Sequence, residues 1–536
     1  MRRALALALA AIVLCVAPAA AAAAVSGAQA IAIASRLPLV TREKRTHPNS
    51  FAQVTNPVTG QWQVAFYSHD QEFVQVLVDA SSGQVLGQYT GIQVAWTMAR
   101  GYPGAFGRHV NSLYIWLPLS FLFIAPFFSW RRPLRMINLD LFALSFFSVS
   151  LAFFNHGDIY QSVPLSYPPL VYLLLRMIWL ARRGATGPAL TLNIGVRWLA
   201  VGAVLLAAFR VGLNVVDSNV IDVGYANVVG AQKVIDGRAI YGQFPSTISR
   251  GDTYGPVSYE AYVPFVALWG FSGVWDDLPA AHAAAICFDL IAMALMFALG
   301  WRIRGPSTGV VLAYAWAAYP FTAFALECNS NDGLVAVLVL AALLAATAPA
   351  ARGAFAALAG LAKFAPLALA PLLAFHDARE RGLRTLVRFT VAFCVVAALV
   401  SIPALAHNSI SQIYQRTIVY QADRSAPFSL WGLYGGLHGV QTAVQVIAVA
   451  LVGILAVAPR RAGVAGLAAC CAALLIAVEL GVTYWFYLYI PWFFAPAAVV
   501  LFGGVESRGG RWGRGSAGAA HGERDRRLAL ARLSAG

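Results

Sequence analysis

Residues 217–262 read DSNVIDVGYANVVGAQKVIDGRAIYGQFPSTISRGDTYGPVSYEAY and form a polar stretch between two strongly apolar segments. A polar loop of this length between apolar segments is usually functional or a small folded piece of its own. Only 11% of the chain is charged, yet this stretch carries eight charged residues: Asp217, Asp222, Lys233, Asp236, Arg238, Arg250, Asp252 and Glu260. The sequence therefore predicts that the apolar segments serve to hold this loop.

The composition indicates a chain adapted to lipid. Hydrophobic residues make up 59% of it, and the charged fraction is less than half of the roughly one quarter found in soluble domains. Apolar runs of about 20 residues recur, each long enough to cross the hydrocarbon core as a helix. Helices are expected because lipid offers no hydrogen-bond partner for backbone groups. The sequence predicts an α-helical polytopic membrane protein with roughly 11 to 13 transmembrane helices.

The formal charge of +15 is explained by basic residues in the segments that flank the membrane spans. The basic residues lie mostly in short loops and in the C-terminal tail, a pattern typical of cytoplasmic loops near anionic headgroups. Membrane lipids are therefore the expected partners, and nucleic acid is not. The six cysteines lie in the N-terminal leader or in and beside apolar runs, without CxxC or Cys/His spacing. This placement predicts neither a metal site nor a disulfide framework.

Residues 1–24 have the pattern of a secretory signal peptide. Arg2 and Arg3 precede a short apolar core, and a run of alanines precedes the expected cleavage point. The alternative is a first transmembrane helix that is retained. In both cases the segment that follows is predicted to be exported.

Residues 25–107 are the only part of the chain with a soluble pattern. A helical start leads into the alternating runs WQVAFY and EFVQVLVD, and DASSGQVL is predicted to turn between two strands with Gly83 at positive φ. The stretch resembles the PepSY-type domain of secreted and membrane-tethered bacterial proteins. That resemblance implies an extracytoplasmic α+β module with an accessory or inhibitory role. An unrelated small α+β domain is the alternative.

The basic loops set the topology of the remainder. With an exported N-terminus and the basic cluster at 131–135 inside, the count of spans places the 217–262 loop outside. We assign residues 108–197 to accessory transmembrane helices, 198–505 to the main transmembrane domain, and 506–536 to a basic cytoplasmic tail expected to be disordered. Residues 262–275 are too short for an ordinary span. Residues 354–375 are predicted to form two half-helices broken near Lys363 and Pro366.

The polar loop and the helices after it carry an ordered set of residue types. An acid, an aromatic residue, small residues, a glycine and an aliphatic–tyrosine pair occur at Asp222, Tyr225, Ala226, Gly237, Ile240 and Tyr241. The chain then reads DTYGPVSYEAYVPF over 252–265. Farther on, a lysine precedes a Pro-Leu pair at 366–367.

This order resembles the GT-C superfamily of membrane glycosyltransferases, in particular the family 87-like branch with its bacterial mannosyl- and arabinofuranosyl-type enzymes. Two adjacent prolines more often stand in that branch where this chain has Gly255–Pro256. The resemblance covers residues 200–500. It implies a GT-C-like fold and a multi-pass enzyme of the bacterial plasma membrane, with its active face extracytoplasmic. Such an enzyme transfers a mannose- or arabinofuranose-type sugar from a polyprenyl-phosphate donor to a glycan, lipid or protein acceptor.

By this resemblance Asp222 is the general base that takes the proton of the acceptor hydroxyl. Asp217 and Asp252, in the same loop, are alternative bases or helpers. A carboxylate just before a helical stretch also suits an N-cap, so capping is the alternative role of Asp222. Acidic residues here permit a divalent metal such as Mg or Mn and do not require one.

The leaving phosphate needs positive charge. The basic candidates for binding it are Arg416, Arg424, Arg250 and Lys363. Snorkelling to the membrane interface is the alternative for Lys363. The candidates for substrate contact are Tyr225, Tyr241, Tyr254, Glu327 and Asp332.

Other functions stay open on the sequence. The stretch 155–169, with Asp158 ahead of Tyr167-Pro168-Pro169, resembles a truncated copy of the later arrangement and is a competing catalytic loop. Intramembrane charge and broken helices also suit a secondary transporter or a lipid-carrier flippase. A sensor or assembly factor run by the N-terminal domain is the third hypothesis.

Overall fold

The computed structural model describes residues 25–69, 71–101, 106–183, 190–275, 277–377, 382–457 and 463–504. The predicted signal peptide and the predicted tail lie outside the described residues. The chain is mostly helical, with 69% helix and one small antiparallel sheet. It divides into two compact units, one formed by residues up to Tyr102 with Ala152–Ile159, the other by Pro103–Leu151 with Tyr160–Gly536.

The first unit begins with two helices and continues as a four-stranded antiparallel meander in the order β1-β2-β3-β4. Its elements are α1 (Gly27–Ser35), α2 (Pro38–Thr46), β1 (Phe51–Val58), β2 (Gln61–Ser68), β3 (Gln71–Asp79), β4 (Val85–Thr90) and α3 (Ile92–Ala95). The predicted small α+β domain is therefore present. Its likeness to PepSY domains stays a prediction.

The core of this unit follows from the strand alternation. Val64 lies opposite Val76, and Phe66 lies opposite Val74. These side chains are fully buried together with Ala30 of α1. Residues that alternate along neighbouring strands point to the same face. The apolar face of the meander is thereby covered by the first helices.

The predicted hairpin between β3 and β4 is confirmed. Gly83 has φ +72°, and the Asp79 carboxylate accepts the backbone N–H groups of Ser81 and Ser82 at 3.0 and 2.7 Å. Such local bonds mimic a backbone turn. Because the side-chain and backbone donors of both serines bind the charged form, they hold the pKa of Asp79 well below its usual range.

The second unit is helical. Its helices up to the polar break are α4 (Leu113–Ile124), α5 (Met136–Asn155), α6 (Ile159–Arg183), α7 (Val196–Val216), α8 (Asp222–Ile235), α9 (Pro256–Glu260), α10 (Val263–Trp269), α11 (Pro279–Arg304), α12 (Pro306–Ala318) and α13 (Pro320–Glu327). Those after it are α14 (Asp332–Leu344), α15 (Pro349–Ala362), α16 (Ala370–Phe375), α17 (Leu383–Leu405), α18 (Ile410–Tyr414), α19 (Tyr420–Asp423), α20 (Leu430–Leu433), α21 (His438–Val457), α22 (Val464–Gly481) and α23 (Ile490–Phe502).

Within the described residues, seven helices are long and apolar enough to cross a membrane. They are α5, α6, α7, α11, α17, α21 and α22. The α12–α13 pair, bent by 58°, makes an eighth if it is one span. The predicted count of 11 to 13 is higher because it included apolar stretches that form short helices, such as α4 and α14. The result agrees with a multi-pass membrane protein.

The bend between α12 and α13 is held by a buried arginine. Arg210 of α7 donates to the carbonyls of Trp316 and Ala317, each at 3.0 Å, and pairs with Asp289 of α11 at 2.5 Å. Carbonyls at a helix end lack intrahelical donors, and lipid supplies none. Arg210 therefore satisfies the groups that the bend leaves open.

The predicted break near Lys363 is confirmed. Helix α15 ends at Ala362, Lys363 is extended at φ −137° and ψ 142°, and a 3₁₀ turn follows at Ala365–Leu369. Pro366 cannot donate to a continuing helix. The segment 262–275 is also short, since α10 has only seven residues and ends before Gly270 at φ +75°. The segment 262–275 follows the polar loop in the sequence. The break at Lys363 lies near the loop in space, since the lysine Nζ lies 5.7 Å from the ring centroid of Tyr254.

Candidate active site around Asp222

Asp222 is the first residue of α8. The N-cap is Ile221, so the alternative role of Asp222 as N-cap is wrong. Its Oδ1 accepts the backbone N–H of Val223 at 2.9 Å. A carboxylate in the first turn is favoured by the helix dipole.

The Asp222 carboxylate is in contact with solvent and has protein packed nearby. Its side chain is exposed to solvent, yet protein surrounds it closely enough that burial raises its pKa. Arg424 and Lys363 oppose the rise in pKa, and Asp332 adds to it. Two cations and a second carboxylate thus lie within electrostatic reach of Asp222.

Asp332 and Lys363 form a buried ion pair. Nζ of Lys363 lies 2.5 Å from Oδ1 of Asp332, and Nε1 of Trp492 donates to the same oxygen at 3.0 Å. The pair joins the start of α14 to the break after α15. Snorkelling of Lys363 to the interface is therefore wrong, because its ammonium is directed to a buried carboxylate.

Three aromatic rings surround the ammonium of Lys363. Nζ lies 5.7 Å from the ring centroid of Tyr254, 5.3 Å from that of Tyr489 and 5.0 Å from that of Trp492. The rings of Tyr489 and Trp492 are stacked with centroids 4.3 Å apart. Cations over ring faces at this distance are attracted to the ring quadrupole. The polar loop, through Tyr254, and α23, through Trp492, both contribute to this aromatic site.

Arg424 brings the second cation. It follows α19, and its guanidinium lies 3.8 Å from the ring centroid of Tyr484. It acts electrostatically on Asp222 and on Tyr254. Burial raises the pKa of Tyr254, so this phenol stays neutral. Of the four predicted phosphate-binding residues, Arg424 and Lys363 are the two whose charges act on Asp222.

Asp217 has a different partner. It ends α7, and its Oδ2 contacts Nδ1 of His109 and accepts the His109 backbone N–H at 3.3 Å. It therefore fixes the segment before α4 to the end of α7. The structure gives Asp217 an anchoring role and does not bring it into the Asp222 group.

Asp252 is also a structural residue. Its Oδ2 accepts the backbone N–H of Gly242 at 2.6 Å and lies 3.5 Å from Nη1 of Arg416. Arg416 is thereby directed to a buried carboxylate and not to an open space. Arg250 lies over the ring of Tyr420, 5.1 Å from its centroid. These three residues join the first polar loop to the segment 407–424.

The other predicted substrate contacts are mostly packed away. Tyr225 is buried against Trp275, with parallel rings 4.3 Å apart. Tyr241 is fully buried, and its hydroxyl donates to the Tyr254 carbonyl at 2.9 Å. Glu327 is fully buried at the end of α13, and both carboxylate oxygens lack a hydrogen-bond partner among the described residues. Of this set, Asp332 acts on the charge of Asp222, and Asp222 acts on the hydroxyl of Tyr254.

Asp158 of the competing stretch is exposed in the tight turn before α6. Pro168 and Pro169 of that stretch lie inside α6 and not at its start. The hydroxyl of Tyr167 accepts the backbone N–H of Leu430 at 3.1 Å. This tyrosine therefore has a packing role in the structure.

Three residues of the site had no signal in the sequence: Tyr484, Tyr489 and Trp492. They belong to the run TYWFYLYIPW over 483–492, which on composition alone is typical of an aromatic belt at the membrane interface. Aromatic residues of this kind occur both in belts at the membrane interface and in surfaces that line a ligand site, so composition does not distinguish the two. Pro491, which follows Tyr489 and Ile490, was the only sequence feature that indicated the start of a helix there.

No group of three or more His, Cys, Asp or Glu side chains suited to a metal ion occurs within the described ranges. Asp222 and Asp332 are separate carboxylates, and Asp332 is already neutralised by Lys363. The permitted Mg or Mn site therefore has no support from these side chains.

Comparisons of the chain with protein-family models, with curated proteins and with solved structures find no match.

The chemistry available at the site follows from its charges. An accessible carboxylate with a raised pKa can accept a proton from a hydroxyl. Arginine beside it can bind an anionic group such as phosphate. The tyrosine rings offer flat apolar surfaces to a ligand ring. The site suits a reaction in which a hydroxyl loses a proton next to a bound anion.

Proposed function

We propose that the chain is an integral membrane glycosyltransferase of GT-C type. It transfers a mannose- or arabinofuranose-type sugar from a polyprenyl-phosphate donor to a glycan, lipid or protein acceptor. The observation that carries the proposal is an exposed carboxylate, Asp222, in the polar loop, whose ionised form the charge of Arg424 favours. The apolar helices around it suit a donor that carries a long lipid chain.

The proposed reaction uses Asp222 as general base. Asp222 takes the proton of the acceptor hydroxyl while the acceptor oxygen bonds to the anomeric carbon of the sugar. The bond from this carbon to the phosphate oxygen breaks, and its electron pair stays on the phosphate. Arg424 stabilises the negative charge that develops there.

The proposed location is the extracytoplasmic face of a bacterial plasma membrane. The support is the distribution of basic residues in the sequence, which places the polar loop opposite the basic clusters. In the same scheme the N-terminal α+β unit is a PepSY-like accessory module on the same side.

The test uses membranes that contain the full chain and a panel of labelled polyprenyl-phosphate sugars. Transfer to extracted envelope acceptors is expected for at least one donor. Asp222→Asn keeps the size and a hydrogen-bonding side chain but loses the base, and a loss of about 100-fold or more in rate is expected. A fully active Asp222→Asn variant would remove this residue as the base.

The matched control is Asp236→Asn at the other end of α8. Asp236 is bonded to Gln232 at 2.8 Å and lies 3.5 Å from Arg238, away from the Asp222 group. Its replacement is expected to leave transfer unchanged. If the panel yields no transfer but vesicles move an intact lipid-linked sugar across the bilayer, the flippase alternative is favoured instead.

A further inference from the structure

The break between α13 and α14 is bonded to the start of the polar loop through the two backbones. The N–H of Asn219 donates to the Glu327 carbonyl at 3.2 Å. The N–H of Ile221 donates to the Cys328 carbonyl at the same distance. Carbonyls at the end of a helix have no donor within that helix, so the loop supplies the donors that α13 lacks. Ile221 directly precedes Asp222 in the chain.

The side chain of Asn329 strengthens this junction. Its amide oxygen accepts Nδ2 of Asn214 at 3.0 Å. Its Nδ2 donates to the Ser218 hydroxyl at 2.9 Å and to the Asn219 carbonyl at 3.0 Å. The residue is fully buried, and a buried amide with partners on both its oxygen and its nitrogen holds its neighbours in one arrangement. Asn329 thereby joins the end of α7 to the first residues of the polar loop.

The backbone of Asn329 contacts α8 on the other side of Asp222. A Cβ added at Gly224 would lie 2.3 Å from the Asn329 carbonyl oxygen, so only glycine lets the first turn of α8 come this close. Asn329 has φ +50°, a left-handed conformation that asparagine adopts more readily than most residues. The break therefore contacts the chain just before Asp222, at Ile221, and just after it, at Gly224.

The Asp222 carboxylate takes its direction from the turn between these two contacts. Its Oδ1 accepts the N–H of Val223, in the same turn, at 2.9 Å. The side chain is thus bonded to the backbone of the turn, and the break sets where that backbone lies. A shift of the turn must carry the carboxylate with it.

We propose that Asn329 is a positioning residue for Asp222. Its amide fixes the loop before α8, and its carbonyl sets how closely the first turn of α8 approaches the break. The catalytic meaning of this inference rests on the proposed function. The positioning itself does not, because it can be measured without a substrate.

A merely structural role for Asn329 predicts a different result. If the amide only holds α7, the break and α8 together, its loss loosens the whole of α8, including the far end at Asp236. A positioning role confines the change to the first turn. Reporters at the two ends of α8 therefore distinguish the two roles.

The experiment measures thiol labelling of the full chain reconstituted in lipid. The reporters are Asp222→Cys and Asp236→Cys, at two exposed positions, each treated with a charged maleimide. Asn329→Gly keeps the backbone conformation and removes the amide. In this variant we expect labelling at position 222 to become about fivefold faster, because the hydrogen bonds that restrain the turn are lost. The rate at position 236 is expected to stay unaltered.

The background labelling is kept low by replacing Cys15, Cys287 and Cys394 with alanine. The remaining cysteines, Cys328, Cys470 and Cys471, are buried. Each variant is also labelled without a reporter, and that rate is subtracted.

Gly224→Ala tests the same contact from the side of α8. The added methyl group must displace the first turn from the Asn329 carbonyl, whereas the amide and its partners are unaltered. Faster labelling at position 222 alone is expected again. Gly212→Ala in α7 is the matched control, because a Cβ there meets no atom within 4 Å. Asn138→Ala, which removes a buried amide bonded to the Ser129 backbone, is the control for the loss of an amide, and neither control should change the rate at position 222.

Folding is checked by the elution profile of each variant in detergent. Asn329→Asp keeps the size of the side chain and the acceptor for Asn214 and loses the two donated bonds, so it is a milder third variant. The proposal requires faster labelling at position 222 alone in each of the three variants that folds, and any other pattern overturns it. If none of the three folds, Asn329 is a folding residue and the positioning role is rejected.

If a donor has been found, kinetics separate this inference from the proposed function. Asn329→Gly in the chain that keeps Asp222 is expected to lower kcat about tenfold or more, with little change in the KM of the donor, because the base is displaced and the donor contacts remain. Transfer with an unaltered kcat would reject the positioning role and keep the transferase. A labelling change confined to position 222, without transfer from any donor, would keep the positioning and reject the transferase.

Discussion

Glu260 is a half-buried carboxylic acid of the polar loop. It ends α9, and its Oε1 is buried without a hydrogen-bond partner among the described residues. Burial raises its pKa to about 7. The folded chain therefore binds a proton here more tightly than the unfolded chain does.

The raised pKa of Glu260 determines the direction in which the stability of the fold changes with pH. The contribution of Glu260 is fully present below the ordinary pKa of 4.5 and is lost as the pH rises through about 7. Glu260→Gln, which stays neutral, is expected to lose less melting temperature over this range than the unaltered chain. Melting curves in detergent at a series of pH values measure the difference. Parallel curves for the two proteins would contradict it, and Asp236→Asn is the control.

At the scale of elements, the segment 407–424 is fastened to the polar loop by side-chain bonds. Oδ1 of Asn408 accepts the Tyr241 backbone N–H at 3.2 Å, and its Nδ2 donates to the Tyr241 carbonyl at 3.0 Å. Arg416 adds its contact with Asp252. A π-helical turn at Gln415–Val419 follows α18, and such turns are frequent at functional sites. These contacts set the position from which Arg424 reaches the site.

Asn408→Ala is expected to destabilise this connection by about 2 kcal/mol, because it leaves the buried Tyr241 N–H without its partner and the Tyr241 carbonyl with only the 3.5 Å contact of Gln412. Faster cleavage of the 407–424 segment in limited proteolysis measures it. Ser411→Ala, at an exposed position of the same segment, is the control and should be cleaved nearly as slowly as the unaltered chain. Equal rates for all three proteins would show that Asn408 does not fasten the loop.

At the scale of the whole molecule, buried ion pairs connect helices that are far apart in sequence. Arg176 binds Asp140 through three nitrogen–oxygen contacts of 2.9, 3.2 and 3.0 Å. Arg210 binds Asp289 and the end of α12. In an apolar chain these pairs and their hydrogen bonds select which helices are neighbours. Removing one partner leaves a buried charge uncompensated.

Arg210→Met is therefore expected to cost about 3–5 kcal/mol, seen as a lower melting temperature and a smaller yield of monodisperse protein. Asp289→Asn should cost less, because Arg210 still donates to the carbonyls of Trp316 and Ala317. If Asp289→Asn is the more damaging of the two, the helix-end role of Arg210 is incorrect.

The sequence by itself determined the helical membrane character, the small α+β unit with its hairpin at Gly83, and the break at Lys363. These features are local: they depend on apolar runs, on alternation and on residues that cannot continue a helix. It also singled out Asp222, Lys363, Asp332 and Arg424 as site residues. It singled out Asp217, Asp252 and Arg416 equally, although these have structural partners instead.

Only the tertiary structure decided that separation. Lys363 and Asp332 are 31 residues apart, and Trp492 is 160 residues from Asp332, so no local pattern relates them. Asp217 and Asp252 look the same as Asp222 in the sequence, but His109 and Gly242 bind them. The partner of a charge depends on which helix ends meet in space, and packing of the whole chain sets that meeting.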